Sequence, residues 1–180
     1  MLWTAIITAV AAQVTNFPTK SVNMASADAV EYYHVFDTSA TLVDDAHAVA
    51  GAPTSDGGYV VVGKGLESDG SSVSEAFALK FTSAGSLQWS YKSSHSGDDA
   101  FNAVIQLPSG GDLIAIGYRS ESGVYRRMVT QLGLTSGTAG WVGTAFGDSA
   151  GAHGGYENVE LSVDGSTLYA GGFTGKPNTE

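Results

Sequence analysis

The sequence contains no cysteine, only 4 prolines, and 8 basic residues against 18 acidic ones. Each scarcity closes off some chemistry. Without thiols there is no disulfide framework, no thiolate metal site and no cysteine nucleophile. A formal net charge of −10 and a sequence pI near 4.6 repel phosphate backbones and anionic lipid. That argues against nucleic acid as a partner and against polybasic attachment to membranes. Charged residues make up 14% of the chain, and Ser, Thr and Gly take their place, a balance that suits an extracellular β-protein. No apolar run approaches the roughly 20 residues of a membrane-spanning helix, so no membrane span is expected. No Asn stands two places before a Ser or Thr, and no P-loop or H-E-x-x-H element occurs.

What the chain does contain is repetition. Asp98 to Gly117, DDAFNAVIQLPSGGDLIAIG, reads as two strands around a Pro-Ser-Gly-Gly turn. The same phrase stands at Asp44 to Gly63 as DDAHAVAGAPTSDGGYVVVG, and more loosely at Tyr156 to Gly172 as YENVELSVDGSTLYAGG. Asp45 to Asp99, Gly57 to Gly111 and Gly63 to Gly117 are each 54 positions apart, while Leu113 to Leu168 and Gly117 to Gly172 are each 55. A period of this size with several strands per unit predicts an all-β chain built as a β-propeller segment of four-stranded blades. A hydrophobic content of 43% and 24 glycines fit close strand packing and many tight turns.

The units divide the chain as follows. Residues 1–27 are a candidate signal peptide or leader, apolar at first, with A-x-A cleavage patterns at Ala9-Val10-Ala11 and Ala25-Ser26-Ala27. The partial propeller runs over 30–175. The aromatic run within 31–37 is the last strand of a preceding blade, 44–91 and 98–144 are full blades, and 156–173 is half a blade. Residues 174–180 are a truncated end. Two blades and fractions cannot close a ring, so the partners expected first are further blades, from a longer chain or from other subunits.

At these residues the chain resembles the SBBP-type β-propeller repeats, which are related in pattern to PQQ-type propellers. The likeness rests on Gly57-Gly58-Tyr59-Val60-Val61-Val62-Gly63, then Ala76-Phe77-Ala78-Leu79-Lys80-Phe81, then Gly85-Ser86-Leu87-Gln88-Trp89. The second unit departs, with Gln131 in place of the Lys and Thr138-Ala139-Gly140-Trp141 in place of G-S-L-x-W. The resemblance implies a secreted or cell-surface protein acting as a non-catalytic binding or structural scaffold, with protein or carbohydrate as ligand. Two alternatives stand beside it: an extracellular enzyme of quinoprotein type, and a calcium-dependent adhesion module. Against the first, the adjacent-cysteine feature of such enzymes is missing. Neither a catalytic set nor a cofactor-binding set can be assembled from the residues.

Candidate sites are few. Asp44-Asp45 and Asp98-Asp99 recur once per unit and place carboxylates at one rim, where calcium is the cation such oxygens take. A pair that repeats from unit to unit also suits bonding to turn amides, and the third unit breaks the pattern with Tyr156-Glu157. Asp45, Asp99 and Asp69, the last in a Ser/Gly loop with Glu67 and Glu75, are the metal candidates. His47 is placed on an inner strand, and His95 and His153 in loops before strand one. Arg119, Arg126 and Arg127 surround one loop and suit an anionic ligand or plain solvation. Trp89 and Trp141 suit either a sugar platform or packing between blades. Recognition is expected in the loops Gly65–Ser74, Ser93–Gly97 and Gly147–Gly155.

Overall fold

Val60-Val61-Val62 and the Ile114/Ile116 pair put branched side chains where a helix would crowd them and a pleated strand accommodates them. The computed structural model describes residues 44–66, 73–144 and 152–175, and every regular element among them is a strand. In chain order these are β1 (Asp44–Pro53), β2 (Tyr59–Leu66), β3 (Ser74–Phe81), β4 (Leu87–Lys92) and β5 (Asp99–Gln106). There follow β6 (Leu113–Glu121), β7 (Val124–Leu132), β8 (Ala139–Thr144), β9 (His153–Leu161) and β10 (Leu168–Gly175). They form two four-stranded antiparallel sheets, β1-β2-β3-β4 and β5-β6-β7-β8, and a two-stranded sheet of β9 and β10. The leader 1–27, the strand expected within 31–37 and the end 176–180 lie outside the described residues.

The repeated residues have physical reasons. Gly57, Gly110 and Gly165 turn the first hairpin of each sheet at φ of 82°, 74° and 70°, a region that L side chains resist. Beside two of them an Asp carboxylate ties the turn. Asp56 accepts from Thr54 Oγ1 at 2.6 Å and from Gly58 N at 3.1 Å. Asp164 accepts from Ser162 Oγ at 2.5 Å and from Ser166 N at 3.0 Å. The spacing of 54 pairs Gly57 with Gly111, but the left-handed glycine of the second hairpin is Gly110, because that loop carries one more residue.

The Gly63, Gly117 and Gly172 series marks a β-bulge. In each sheet the first strand slips register opposite this glycine, between Ala48 and Ala50, between Phe101 and Ala103, and between Asn158 and Tyr156. A Cβ on Gly117 would lie 2.0 Å from Ala100 O, and one on Gly172 would lie 2.0 Å from Gly155 O. The bulge drives strand-one backbone into the space a side chain needs.

The core lies between sheets. Val60, Val62, Ala76 and Ala78 from the first sheet meet Phe101, Leu113, Ala115 and Met128 from the second. Ile114 and Ile116, on the opposite face of β6, pack with Ala103 and Val159 of β9. β6 is thus buried on both faces, which is why its sequence is continuously apolar. The step repeats, since β5 packs over β1, β2 and β3 as β9 packs over β5, β6 and β7.

Ser122 and Gly123 both take positive φ (53° and 77°) in a two-residue hairpin turn, so β7 begins at Val124. The turn before Trp141 is closed by Gly133 N donating to Thr138 O and Gly137 N to Gly133 O, and Gly140 is already in β8. One local expectation needs correction. His153 opens β9 rather than standing in a loop.

Candidate functional site

The linker from β4 to β5 carries the chain from the first sheet to the second, and hydrogen bonds pin it on both sides. Ser93 N donates to Ala76 O at 2.8 Å, and Ser93 Oγ accepts from Ala76 N at 3.0 Å while donating to Glu75 Oε2 at 3.1 Å. Asp98 Oδ1 accepts from Ser74 N at 2.8 Å and from Ser74 Oγ at 3.1 Å, so this carboxylate does bond a strand-end amide. On the other side Ser120 N donates to Asp98 O at 2.7 Å. A Cβ at Gly97 would come within 2.4 Å of Ser120 O, so the linker lies flush on β6 at this residue.

Along this seam lies an open pocket of about 430 Å³ lined by His95–Gly97 from the linker and Ser120–Gly123 from the β6–β7 hairpin. Its lining is polar: three serines, an imidazole, the Glu121 carboxylate and two glycines. Near its His95 lies Asp99, with its side chain fully buried. Arg119 Nε stands 3.4 Å from Asp99 Oδ2, while no donor among the described residues bonds Oδ1. Burial raises the Asp99 carboxyl above its usual 3.8, and the Arg119 guanidinium pulls it back only in part. Burial likewise raises the neighbouring phenols of Tyr91 and Tyr118 above 10.0.

His95 Nδ1 lies 3.7 Å from Asp99 Oδ1, too far for a hydrogen bond, and instead accepts from Gly97 N at 3.2 Å. A histidine primed by a carboxylate would hold a proton on Nδ1 and donate a hydrogen bond from it to that carboxylate. Here Nδ1 is an acceptor. The arrangement therefore suits binding through hydroxyls, imidazole and carboxylate rather than proton relay.

Of the metal candidates, Asp99 is placed here against Arg119 and His95. The side chain of Asp45 and the whole of Asp69 lie outside the described residues. Among the described residues no three His, Asp or Glu side chains are grouped as metal ligands. Glu75, grouped with Asp69 in the sequence, is 7% exposed and bonded by Ser93. Of the three loops expected to carry recognition, Ser93–Gly97 contributes to the pocket, while 67–72 and 145–151 lie outside the described residues.

Arg119 and Arg126 are partners across the β6–β7 pair, but Arg127 turns away from them. Arg119 serves Asp99, while Arg127 stacks on the Tyr156 ring at 5.7 Å and donates to Phe173 O at 3.3 Å and to Thr174 Oγ1. His153 Nδ1 accepts from Tyr125 N at 3.1 Å, tying β9 to β7. Trp89 packs between sheets, 8% exposed, with Nε1 donating to Leu134 O at 2.8 Å. Sequence reasoning missed two contacts of weight. Lys80, fully buried, reaches both Asp56 oxygens at 3.0–3.1 Å, and in the second sheet Gln131 reaches Asp112 at 2.8 Å. The departure from Lys to Gln is thus matched by a moved carboxylate. A signal existed, since each unit keeps an Asp in its first hairpin loop.

No helix among the described residues is long and apolar enough to cross a membrane. In comparison with known proteins, the chain matches no family model and no curated protein sequence.

Proposed function

We propose that the three sheets are successive blades of a β-propeller of the SBBP-like, PQQ-related kind, and that the chain is a secreted or cell-surface binding scaffold. The period of 54–55 residues, the 1-2-3-4 strand order and the repeated step from sheet to sheet support this architecture. The ligand is a neutral, hydroxyl-rich molecule of the saccharide class, taken at the seam pocket.

The observation that carries the reading is the lining of that pocket. Ser96, Ser120 and Ser122 both donate and accept, Glu121 accepts, and His95 adds a ring nitrogen. Alternating donors and acceptors of this kind match vicinal hydroxyls. Sparse apolar surface disfavours lipid, and the net charge of −10 disfavours anionic polymers.

Titration of isotopically labelled chain with a panel of neutral saccharides tests it. The Ser120–Gly123 amides and the His95 ring are expected to shift together, and Glu121→Gln to weaken binding about tenfold, the loss of roughly one charge-assisted hydrogen bond. Shifts confined to other residues, or none with any saccharide, would refute the assignment.

A further inference from the structure

Trp89 and Trp141 hold the same place in their sheets and meet different fates. Trp89 in β4 pairs with Lys80 of β3, and Trp141 in β8 pairs with Gln131 of β7. Trp89 is covered by the β7–β8 turn of the next sheet. Besides the bond to Leu134 O, its ring lies so close to Gly137 that a Cβ there would sit 2.5 Å from it. Among the described residues none caps Trp141 in this way: it is 45% exposed, and Val142 beside it is 39% exposed.

A second deficit lies on the same side of the second sheet. β2 and β6, the second strands of the two complete sheets, are paired along both edges, whereas among the described residues β10 pairs only with β9. Its sequence, LYAGGFTG, carries no charge and no proline, the usual protections of an open edge. Leu168, Tyr169 and Phe173 on it are 39%, 62% and 42% exposed.

We infer that the β10 edge and Trp141 form one docking surface, and that its occupant is a β-hairpin of the type formed by β7 and β8. The first sheets show why one element meets both needs. In the second sheet the strand that pairs with β6 is β7, and the turn that follows β7 is the one that caps Trp89. The same step applied to the third sheet lays an apolar strand antiparallel on β10 and brings a backbone carbonyl to Trp141 Nε1. Among the described residues a second copy of the chain has no such hairpin to lend, because β3–β4 and β7–β8 are both paired within their own sheets. Edge-to-edge pairing of β10 with its copy would satisfy the strand and leave Trp141 bare. The inference rests on the blade reading above, and it adds the occupant and its two anchor points.

The test adds an unlabelled peptide, Val124 to Thr144 carrying Trp141→Phe, to the isotopically labelled full chain. Expected are a downfield shift of the Trp141 indole N–H and shifts of the Leu168–Gly175 amides, with Trp89 unmoved and a scrambled peptide silent. Shifts at neither place overturn the docking surface, while the saccharide response at Ser120–Gly123 stands or falls separately. Shifts along β10 with Trp141 unmoved overturn the repeated step itself, and with it the blade reading. Self-association of the chain through β10 before any peptide is added overturns the choice of occupant.

Discussion

Gly171 and Gly172 are neighbours of identical chemistry, yet one added methyl separates them. A Cβ at Gly171 meets nothing within 4 Å, whereas at Gly172 it lies 2.0 Å from Gly155 O and 2.8 Å from Tyr156 Cα. Gly117 is the same position in the second sheet, 2.0 Å from Ala100 O and 3.0 Å from Phe101 Cα. A carbon–oxygen contact at that distance is about 1 Å inside the van der Waals limit, and both offending atoms are backbone, so relief requires the strands to part. Overpacking in a filled core costs about 1–3 kcal/mol, and loss of one ladder hydrogen bond adds about 1. Gly117→Ala is therefore expected to destabilise by about 3 kcal/mol, a large share of the roughly 5–15 kcal/mol of a typical domain. Gly171→Ala is expected within about 0.5 kcal/mol of wild type. Gly172→Ala falls between, because β10 opens without the other sheets. Urea titration reads each as a change in midpoint at unchanged slope. Wild-type stability for Gly117→Ala, or a larger loss at Gly171 than at Gly172, would refute the bulge explanation of the repeat.

Asp56→Asn leaves the buried Lys80 ammonium with neutral acceptors, and the expected loss is about 2 kcal/mol, less than for a fully buried pair because Asp56 is 39% exposed. Hydrogen bonds from Thr54 and then Lys80 hold the Asp56 carboxyl at about 2, below its usual 3.8. Its stabilisation is thus complete above 3.8 and lost as pH falls through about 2, so the wild-type advantage over Asp56→Asn shrinks in that window when urea midpoints are compared. Asp99 has the opposite sign: its carboxyl is raised by burial, so the cost of its charge grows as pH climbs from 3.8 through the raised value. Wild type is accordingly expected to gain on Asp99→Asn as acid is added, measured the same way. Trp89→Phe loses the bond to Leu134 O and is expected to cost about 1–2 kcal/mol, whereas Trp141→Phe at the exposed site is close to neutral; thermal unfolding of the two variants side by side checks this.

Much of the fold was legible because strands and tight turns are local. Tyr59–Gly63 and Leu113–Gly117 announce themselves by composition, and the offsets of 54 and 55 tie the units together. The cause of the Gly63, Gly117 and Gly172 series was not legible, since a bulge is a property of the facing strand, 15 or more positions away in the second and third sheets. The Ser122-Gly123 turn was missed although its dipeptide is a turn signal, because the flanking arginines suggested a solvated loop. The seam site depends on pairs without periodic trace, such as Ser74 with Asp98 and Asp99 with Arg119. Asn102, the bulged residue of β5, donates to Tyr156 O at 2.8 Å across 54 positions, and no pattern in the sequence foretells that contact.

Amide hydrogen exchange on the chain alone tests most directly whether the third unit is the same sheet, half built. Amides along β2 and β6, bonded on both edges, are expected to exchange slowly without a break, and those of β10 to alternate between slow and fast from Leu168 to Gly175. Uniform protection across β10 in the monomer, or uniformly fast exchange along β6, would contradict the account.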